Sequence, residues 1–589
     1  MAAGTGIRGP RQGGHNHCPI PVSLRRTGEM STHDGGGGAS GRRGIRARRR
    51  RAAWIAAGAV LAVVVVAGVV AGFAGSNSRG PDAAAPDGTL VYGISGTQVS
   101  LDPAVAATAV TSVINRNIFD SLVAQTGPDT FTPWLASSWT ISGDGRTYRF
   151  ALRDGVTFHD GTPFTADAVR ASLDHVVDPN TKSAYAASLI SAYQETRIVD
   201  PHTVEIVLKQ PFTPFLQALS TPSLGIQSPA ALTAANYRPV GTGPFAFEQW
   251  DQGKSESLTR FDGYDSPPPG ARHSGPARFG KLVFRFINED ATRYGALTSG
   301  QVQAIAGVPP VSAGDLAGRD GFTLRADQTP GLNYNVYLNQ SRGPLADQVV
   351  RKALSASVDV AKLVDNIYFG RYPVADNPIS KVTADYDASA RNDLTGYDPE
   401  NAKRLLDQAG WNRLGPDGIR VKDGARLSLV WPYWPDGTRE QRDVVADGIR
   451  AQARAVGIEI QRPTVDTGTY VDKYLIGGGY DLVDVSFARP TPDVLRFAFY
   501  SANTYAKAGG NVALVNSPQL DAQVTEAAAT GDAGRAAANY AAVQHDVLKQ
   551  AYIIPIYTPV SLTGVSKSVR DLTFDVQTYP RFYDAWLAA

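Results

Sequence analysis

One uninterrupted apolar run divides this chain and sets what the rest can become. Trp54 to Phe73 reads WIAAGAVLAVVVVAGVVAGF without a charge, and RRGIRARRRR, Arg42 to Arg51, stands immediately before it. A stretch of roughly 20 apolar residues spans the hydrocarbon core as a helix. Flanking arginines stay on the cytoplasmic side. Everything after about Ser76 is therefore expected outside the cytoplasm. The run, taken as 52–74, serves either as an uncleaved single-pass anchor or as an export signal cut near Gly72-Phe73-Ala74. The pair Arg42-Arg43 fits a twin-arginine signal as well as a generic basic flank.

Residues 1–51 precede the run, and 1–41 are rich in Gly, Ser and Arg with almost no apolar content. Such a segment cannot bury enough surface to order itself and is expected to be a disordered basic cytoplasmic tail. Met30 offers a second start. The single cysteine, Cys18, lies in this tail, so no intrachain disulfide supports the exported body. No cysteine follows the run to carry a lipid anchor. The fold must rest on a large apolar core.

About 500 residues remain beyond the run, too many for one core, so two or three lobes are expected. The net charge is +2 and much of the basic excess precedes residue 52. The body is near neutral, which gives no basis for nucleic-acid binding. A Gly/Ala/Pro linker over 75–88 leads into it.

Strands and helices alternate in the body. LVYGIS (Leu90–Ser95) reads as a buried strand, while TYRFAL (Thr147–Leu152), TVEIVL (Thr203–Leu208) and KLVFRFI (Lys281–Ile287) alternate at period two. Asp398-Pro399 opens a helix whose apolar face is Ala402, Leu405, Leu406 and Ala409, with Gly410 ending it. Further helices are expected over Ala346 to Val364, Thr438 to Val456 and Ala533 to Ala551, and a strand over Asn333–Asn339. Interleaving of this kind predicts α/β lobes. Tyr264 to Gly280, with its proline run, reads as a surface loop.

No catalytic constellation stands out. There is no GxSxG, HExxH, CxxC or Walker-type GxxxxGK[ST] segment. Gly241-Thr-Gly243-Pro-Phe-Ala246 matches GxGxxA, but it precedes the strand-like FAFEQW and Pro244 removes an N–H, so it reads as a tight turn. His159, His175, His202, His273 and His545 are scattered without metal-ligand spacing. No metal and no cofactor are expected, and no enzymatic activity.

Several segments together resemble a known family. Ser100-Leu-Asp102-Pro103, NIFDSLV (Asn117–Val123), FTPWLASSWTISGDGRTYRFALRDGVTFHDGTPFTADAVRASLD (Phe131–Asp174) and GTGPF are similar to the family 5 extracellular solute-binding proteins, the dipeptide-, oligopeptide- and nickel-binding subunits of ABC importers. LTSGQVQAIAGVPP (Leu297–Pro310), VVRKALSASVD (Val349–Asp359), YDPENAKRLLDQAGW (Tyr397–Trp411) and IIPIYTP (Ile553–Pro559) continue the likeness in order. The resemblance implies a two-lobed periplasmic-binding-protein-like fold, type II and of the large peptide-binder class, behind the N-terminal transmembrane helix. It places lobe one at 89–327 with a returning segment 554–589, and lobe two at 328–553. Trp134, Trp139, Phe150, Phe158 and Phe164 are then core of lobe one. The implied partners are a peptide or peptide-like small solute and a membrane permease, with the protein acting as a monomer. A sensory or scavenging receptor on the same fold is the alternative, and a hydrolase that reuses the fold is another.

Where the family's peptide binders carry Trp-x-x-Asp before Asp-Pro, this chain reads DVSFARPTPDVLRFAFYS, Asp484–Ser501. Ser486 takes roughly the Trp position. Asp493 is expected either to anchor a ligand ammonium or to be a helix N-terminal charge. Arg489 is expected to receive a carboxylate or to form a salt bridge. Trp431, Tyr433 and Trp434 of VWPYWPDG offer aromatic faces at a strand end. Ser95, Gly96 and Thr97 offer backbone groups after the first strand, and Phe487 and Tyr500 complete the candidates.

Overall fold

The computed structural model describes residues 86–588 apart from 106–107, 184 and 508. The basic tail, the segment 52–74 and most of the linker 75–88 lie outside the described residues. Among the described residues no helix is long and apolar enough to cross a membrane.

The first strand, Thr89–Ile94, sits inside a seven-stranded sheet, parallel to both Lys281–Phe286 and Ala304–Ala306. A strand so placed is buried on both faces, which is why it reads as a continuous apolar run rather than an alternation. Antiparallel strands Phe245–Asp251 and Ser255–Arg260 extend one side. On the other side Val560–Ser566 pairs with both Ala304–Ala306 and Phe322–Gln328. A four-stranded antiparallel sheet packs its own core beside this one, in the order Ala136–Ile141, Thr147–Leu152, Thr203–Leu208, Tyr193–Asp200. The period-two alternation of Thr147–Leu152 is realised by Tyr148, Phe150 and Leu152 pointing inward. Trp134, Phe158 and Phe164 are buried, and Trp139 packs on the same core half-exposed.

Two signature turns lock together. His159 Nδ1 accepts from Gly241 N–H at 3.3 Å and Nε2 donates to Gly243 O at 2.9 Å. Burial pushes its pKa down to about 4, in keeping with the neutral ring this pairing requires. The GxGxxA segment is thus a turn packed on backbone.

The chain leaves the large sheet at Gln328 and enters a three-stranded sheet at Tyr334–Leu338, flanked antiparallel by Leu482–Val485 and Ile553–Tyr557. It re-enters the first sheet at Val560. Two helices of the following chain keep their expected signals: Pro399–Gln408 starts on an Asp398 side chain that accepts from Asn401 N–H, and Arg442–Ala455 buries Val445, Ile449 and Ala453. The single helix expected over 346–364 is two, Gln348–Ala356 and Val360–Tyr368. Asp359 breaks it by capping the second, its side chain accepting from Lys362 N–H at 3.1 Å. One apolar cluster runs beneath the crossover, from Leu297, Leu316 and Leu562 to Tyr334, Leu354 and Trp431.

A candidate solute site at the junction of the lobes

The crossover fixes the segment 487–489. Gly331 has φ +111°, and a Cβ there would fall 2.2 Å from Phe487 O and 2.5 Å from Arg489 N. Only glycine allows the approach. Leu332 N–H then donates to Phe487 O at 2.9 Å and Arg489 N–H to Pro330 O at 3.2 Å. The backbone of 487–489 is held by the hinge itself.

Four segments remote in sequence press on the continuation of this segment. Gln577 Nε2 donates to Ala488 O at 3.1 Å, and Gln125 Nε2 reaches Pro490 O at 3.5 Å. Tyr185 lies edge-on to Phe497 at 6.5 Å, and Arg496 covers the ring of Phe212 at 4.9 Å. Thr213 N–H donates to Ala528 O at 2.8 Å further along.

Within the junction Phe487, Arg489 and Asp493 come together. Phe487 packs edge-on against Phe497 at 5.0 Å. Asp493 is buried and chelated by Arg496, and Tyr540 OH donates to its Oδ1 at 3.3 Å. Arg489 Nη1 stands 3.9 Å from Asp493 Oδ2, and its guanidinium lies 4.8 Å from the Phe497 ring and 5.7 Å from that of Tyr185. Tyr500 caps the end of the helix Val494–Phe499, half-buried, with its carbonyl accepting from Asn503 and Asn511.

The other candidates sit apart from this group. Trp431 is fully buried, its Nε1–H donating to Asp484 Oδ1 at 2.8 Å. Arg462 lies over its ring at 4.8 Å and over Tyr433 at 5.3 Å. Trp434 stacks on Tyr470 at 5.0 Å and donates to Thr467 Oγ1 at 2.9 Å. Ser95, Gly96 and Thr97 follow the first strand, with Gly96 N–H donating to Asn288 Oδ1 at 2.8 Å and both Gly96 and Thr97 exposed. Ser486, at the position where peptide binders carry Trp, accepts from Arg442 Nη2 at 2.8 Å.

Gln125, Tyr185, Thr491 and Gln577 were not among the residues the sequence singled out. Thr491 lies within the segment Asp484–Ser501 already noted, whereas nothing in the local pattern marks the other three, because each gains its place only when remote segments meet. Among the described residues no group of three or more His, Cys, Asp or Glu is arranged to hold a metal ion.

Residues 130–508 match the family model of bacterial extracellular solute-binding proteins, family 5. The glutathione-binding protein GsiB of Pectobacterium atrosepticum is 27% identical over 527 residues, covering 88% of this chain and 97% of that protein. The oligopeptide-binding protein AppA of Bacillus subtilis, solved with a nonapeptide, superposes with a TM-score of 0.75 at 21% identity, covering 86% of this chain and 100% of that one. NikA of Brucella suis, solved with Fe(III)-EDTA, gives 0.74 at 24% identity, covering 85% and 99%. The body has the two-lobed type II binding-protein fold of these neighbours.

Proposed function

The chain belongs to family 5 of the bacterial extracellular solute-binding proteins, the solute-capturing class of ABC importers, and from that premise we propose that it closes its two lobes on a peptide or peptide-like solute and delivers it unchanged to a membrane permease. The observation that carries this reading is the junction itself. The segment 487–493 of lobe two meets Gln125, Tyr185 and Gln577 of lobe one through side chains and loops, and no β-ladder crosses it among the described residues. Such a contact can open, and a solute that touches both faces shifts the equilibrium toward closure by its differential affinity for the two states. The relatives named for glutathione support a solute of peptide-like chemistry.

The working place is outside the cytoplasm. There the segment 52–74 tethers the body to the membrane, and lobe one comprises 89–327 with the return 554–589 around lobe two at 328–553. An intact mass that begins at or before Ala52 agrees with the tether; a mature chain beginning after Ala74 overturns it.

The test of capture is native mass spectrometry of the full-length protein in detergent with a defined tripeptide library. Bound peptide is expected to be released on denaturation at its original mass. Absence of any adduct from the library or from a host extract overturns the reading, and recovery of cleaved peptide replaces it with hydrolysis.

A further inference from the structure

Three buried polar atoms at the junction have no hydrogen-bond partner among the described residues: Arg489 Nη2, Thr491 Oγ1 and Gln125 Oε1. Their residues are 4%, 6% and 9% exposed. Arg489 and Thr491 flank Pro490, whose carbonyl Gln125 reaches across the lobes at 3.5 Å, so the three belong to one place. The orientation of the Gln125 amide follows from its bonds. Nε2 donates to Pro128 O at 2.6 Å as well as to Pro490 O, which leaves Oε1 as an acceptor.

The charge of Arg489 is poorly answered inside the protein. Asp493, its one acidic neighbour within 4 Å among the described residues, is 3.9 Å away and already chelated by Arg496 in two much shorter bonds. Aromatic rings from both lobes flank the guanidinium. A buried cationic donor without a partner is unfavourable, and a planar guanidinium is suited to pairing with a carboxylate.

The unanswered groups describe their complement. A cationic donor seeks an anion, a carbonyl oxygen seeks an N–H, and a hydroxyl can serve either. The last residue of a peptide carries a carboxylate and an amide N–H on one α-carbon. We infer, on the basis of the capture reading above, that Arg489, Thr491 and Gln125 receive the C-terminal end of the solute, with its carboxylate on Arg489 and its last amide N–H toward Gln125. Selectivity then resides in a free acid terminus, and the α-ammonium is not read by Asp493. Because Gln125 belongs to lobe one while Arg489 and Thr491 belong to lobe two, a single terminal residue joins the lobes and couples recognition to closure.

The experiment uses the full-length protein and three tripeptide libraries: free at both ends, N-acetylated, and C-amidated. Amidation is expected to weaken binding about 30-fold or more, the loss that goes with one charge-assisted pair, and N-acetylation by no more than about threefold. Arg489→Gln is expected to erase the difference between acid and amide, and Arg489→Lys to retain part of it, with thermal melts confirming that both variants fold. Equal binding of acid and amide, or loss of binding on N-acetylation, overturns this inference and leaves solute capture standing. Failure of all three libraries removes both. If Arg489→Gln does not fold, the acid and amide comparison on the native protein decides alone.

Discussion

Arg496 grips Asp493 with two donors, Nε 2.7 Å from Oδ1 and Nη2 2.8 Å from Oδ2. The two residues sit three apart at the start of the helix Val494–Phe499, and the Asp493 side chain is 3% exposed. Asp493 stands at the helix N-terminus with its own counterion, four residues from Arg489.

Removing one member of a buried ion pair strands the other. Arg496→Met is expected to cost about 3–5 kcal/mol, because Asp493 keeps only Tyr540 and the distant Arg489. The double variant Asp493→Asn with Arg496→Met is expected to recover most of that loss. Thermal and urea unfolding of the two single variants and the double measure the coupling, and strictly additive losses refute it.

Glu256 presents a different kind of buried charge. It is fully buried on the strand Ser255–Arg260, opposite Trp250 on one side and Phe284 on the other, with both carboxylate oxygens lacking a partner among the described residues. Burial pushes its pKa up to about 8 from 4.5. A carboxyl raised in the folded state holds its proton more tightly there than in the unfolded chain. Stability is therefore greatest below about pH 4.5 and declines until about pH 8, by an amount on the order of 5 kcal/mol. Glu256→Gln is expected to raise the melting temperature by several degrees at pH 8 and to change it little at pH 4.5. Equal shifts at both values contradict the assignment.

Much of the fold was legible because its signals are local. The alternation in Thr147–Leu152, the Asp398-Pro399 helix start and the glycine turn at 241–243 each depend on a few neighbouring residues. The helix break at Asp359 was hidden because an apolar pattern runs through it, and only the cap reveals the stop. The junction was legible in part. Arg489 and Asp493 drew notice as departures from a motif, whereas Gln125 and Tyr185 lie some three hundred residues away in sequence and have no period or spacing that ties them to Arg489. Trp431 shows the converse: an aromatic side chain at a strand end reads as a cleft surface, but Arg462 and Asp484 enclose it.

Gly241 and Gly243 are required for contact rather than for flexibility. A Cβ at Gly241 would lie 2.0 Å from Ile118 O, and one at Gly243 would lie 2.6 Å from Asn117 O. Those same carbonyls accept from Gly243 N–H at 2.9 Å and Phe245 N–H at 3.0 Å, so the chain cannot move away without breaking the turn. Gly241→Ala is expected to cost about 3 kcal/mol or more. Gly143→Ala, at a position with nothing within 4 Å, is expected to be neutral and serves as the control in the same melting experiment.

Glu440 and Gln441 both adopt left-handed backbone, φ +56° and +54°, directly before the helix Arg442–Ala455. Two such residues in succession cost about 1–2 kcal/mol each, so the surroundings must hold them. Glu440 is held: its Oε2 takes Arg442 Nη2 at 2.8 Å and Tyr557 OH at 2.7 Å, and its carbonyl takes Tyr368 OH at 2.7 Å. Burial opposes the charge, but Arg442 and Arg439 keep the carboxyl down at about 2. The side chain of Gln441 makes no hydrogen bond among the described residues; its carbonyl accepts from Val444 N–H at 3.1 Å and Val445 N–H at 3.2 Å, bonds that a glycine would keep. Gln441→Gly relieves that strain and loosens the unfolded chain by a smaller amount, for a net gain of about 0.5–1 kcal/mol. Glu440→Gly loses the ion pair as well and is expected to destabilise by about 2 kcal/mol at pH 7. Because a depressed carboxyl stabilises above its ordinary value of 4.5 and loses that contribution as pH falls toward about 2, the Glu440→Gly penalty shrinks in acid while the Gln441→Gly gain does not change. Melting curves of both variants between pH 3 and pH 7 check the pair, and a Gln441→Gly variant less stable than the parent at every pH shows that the left-handed pair carries no strain.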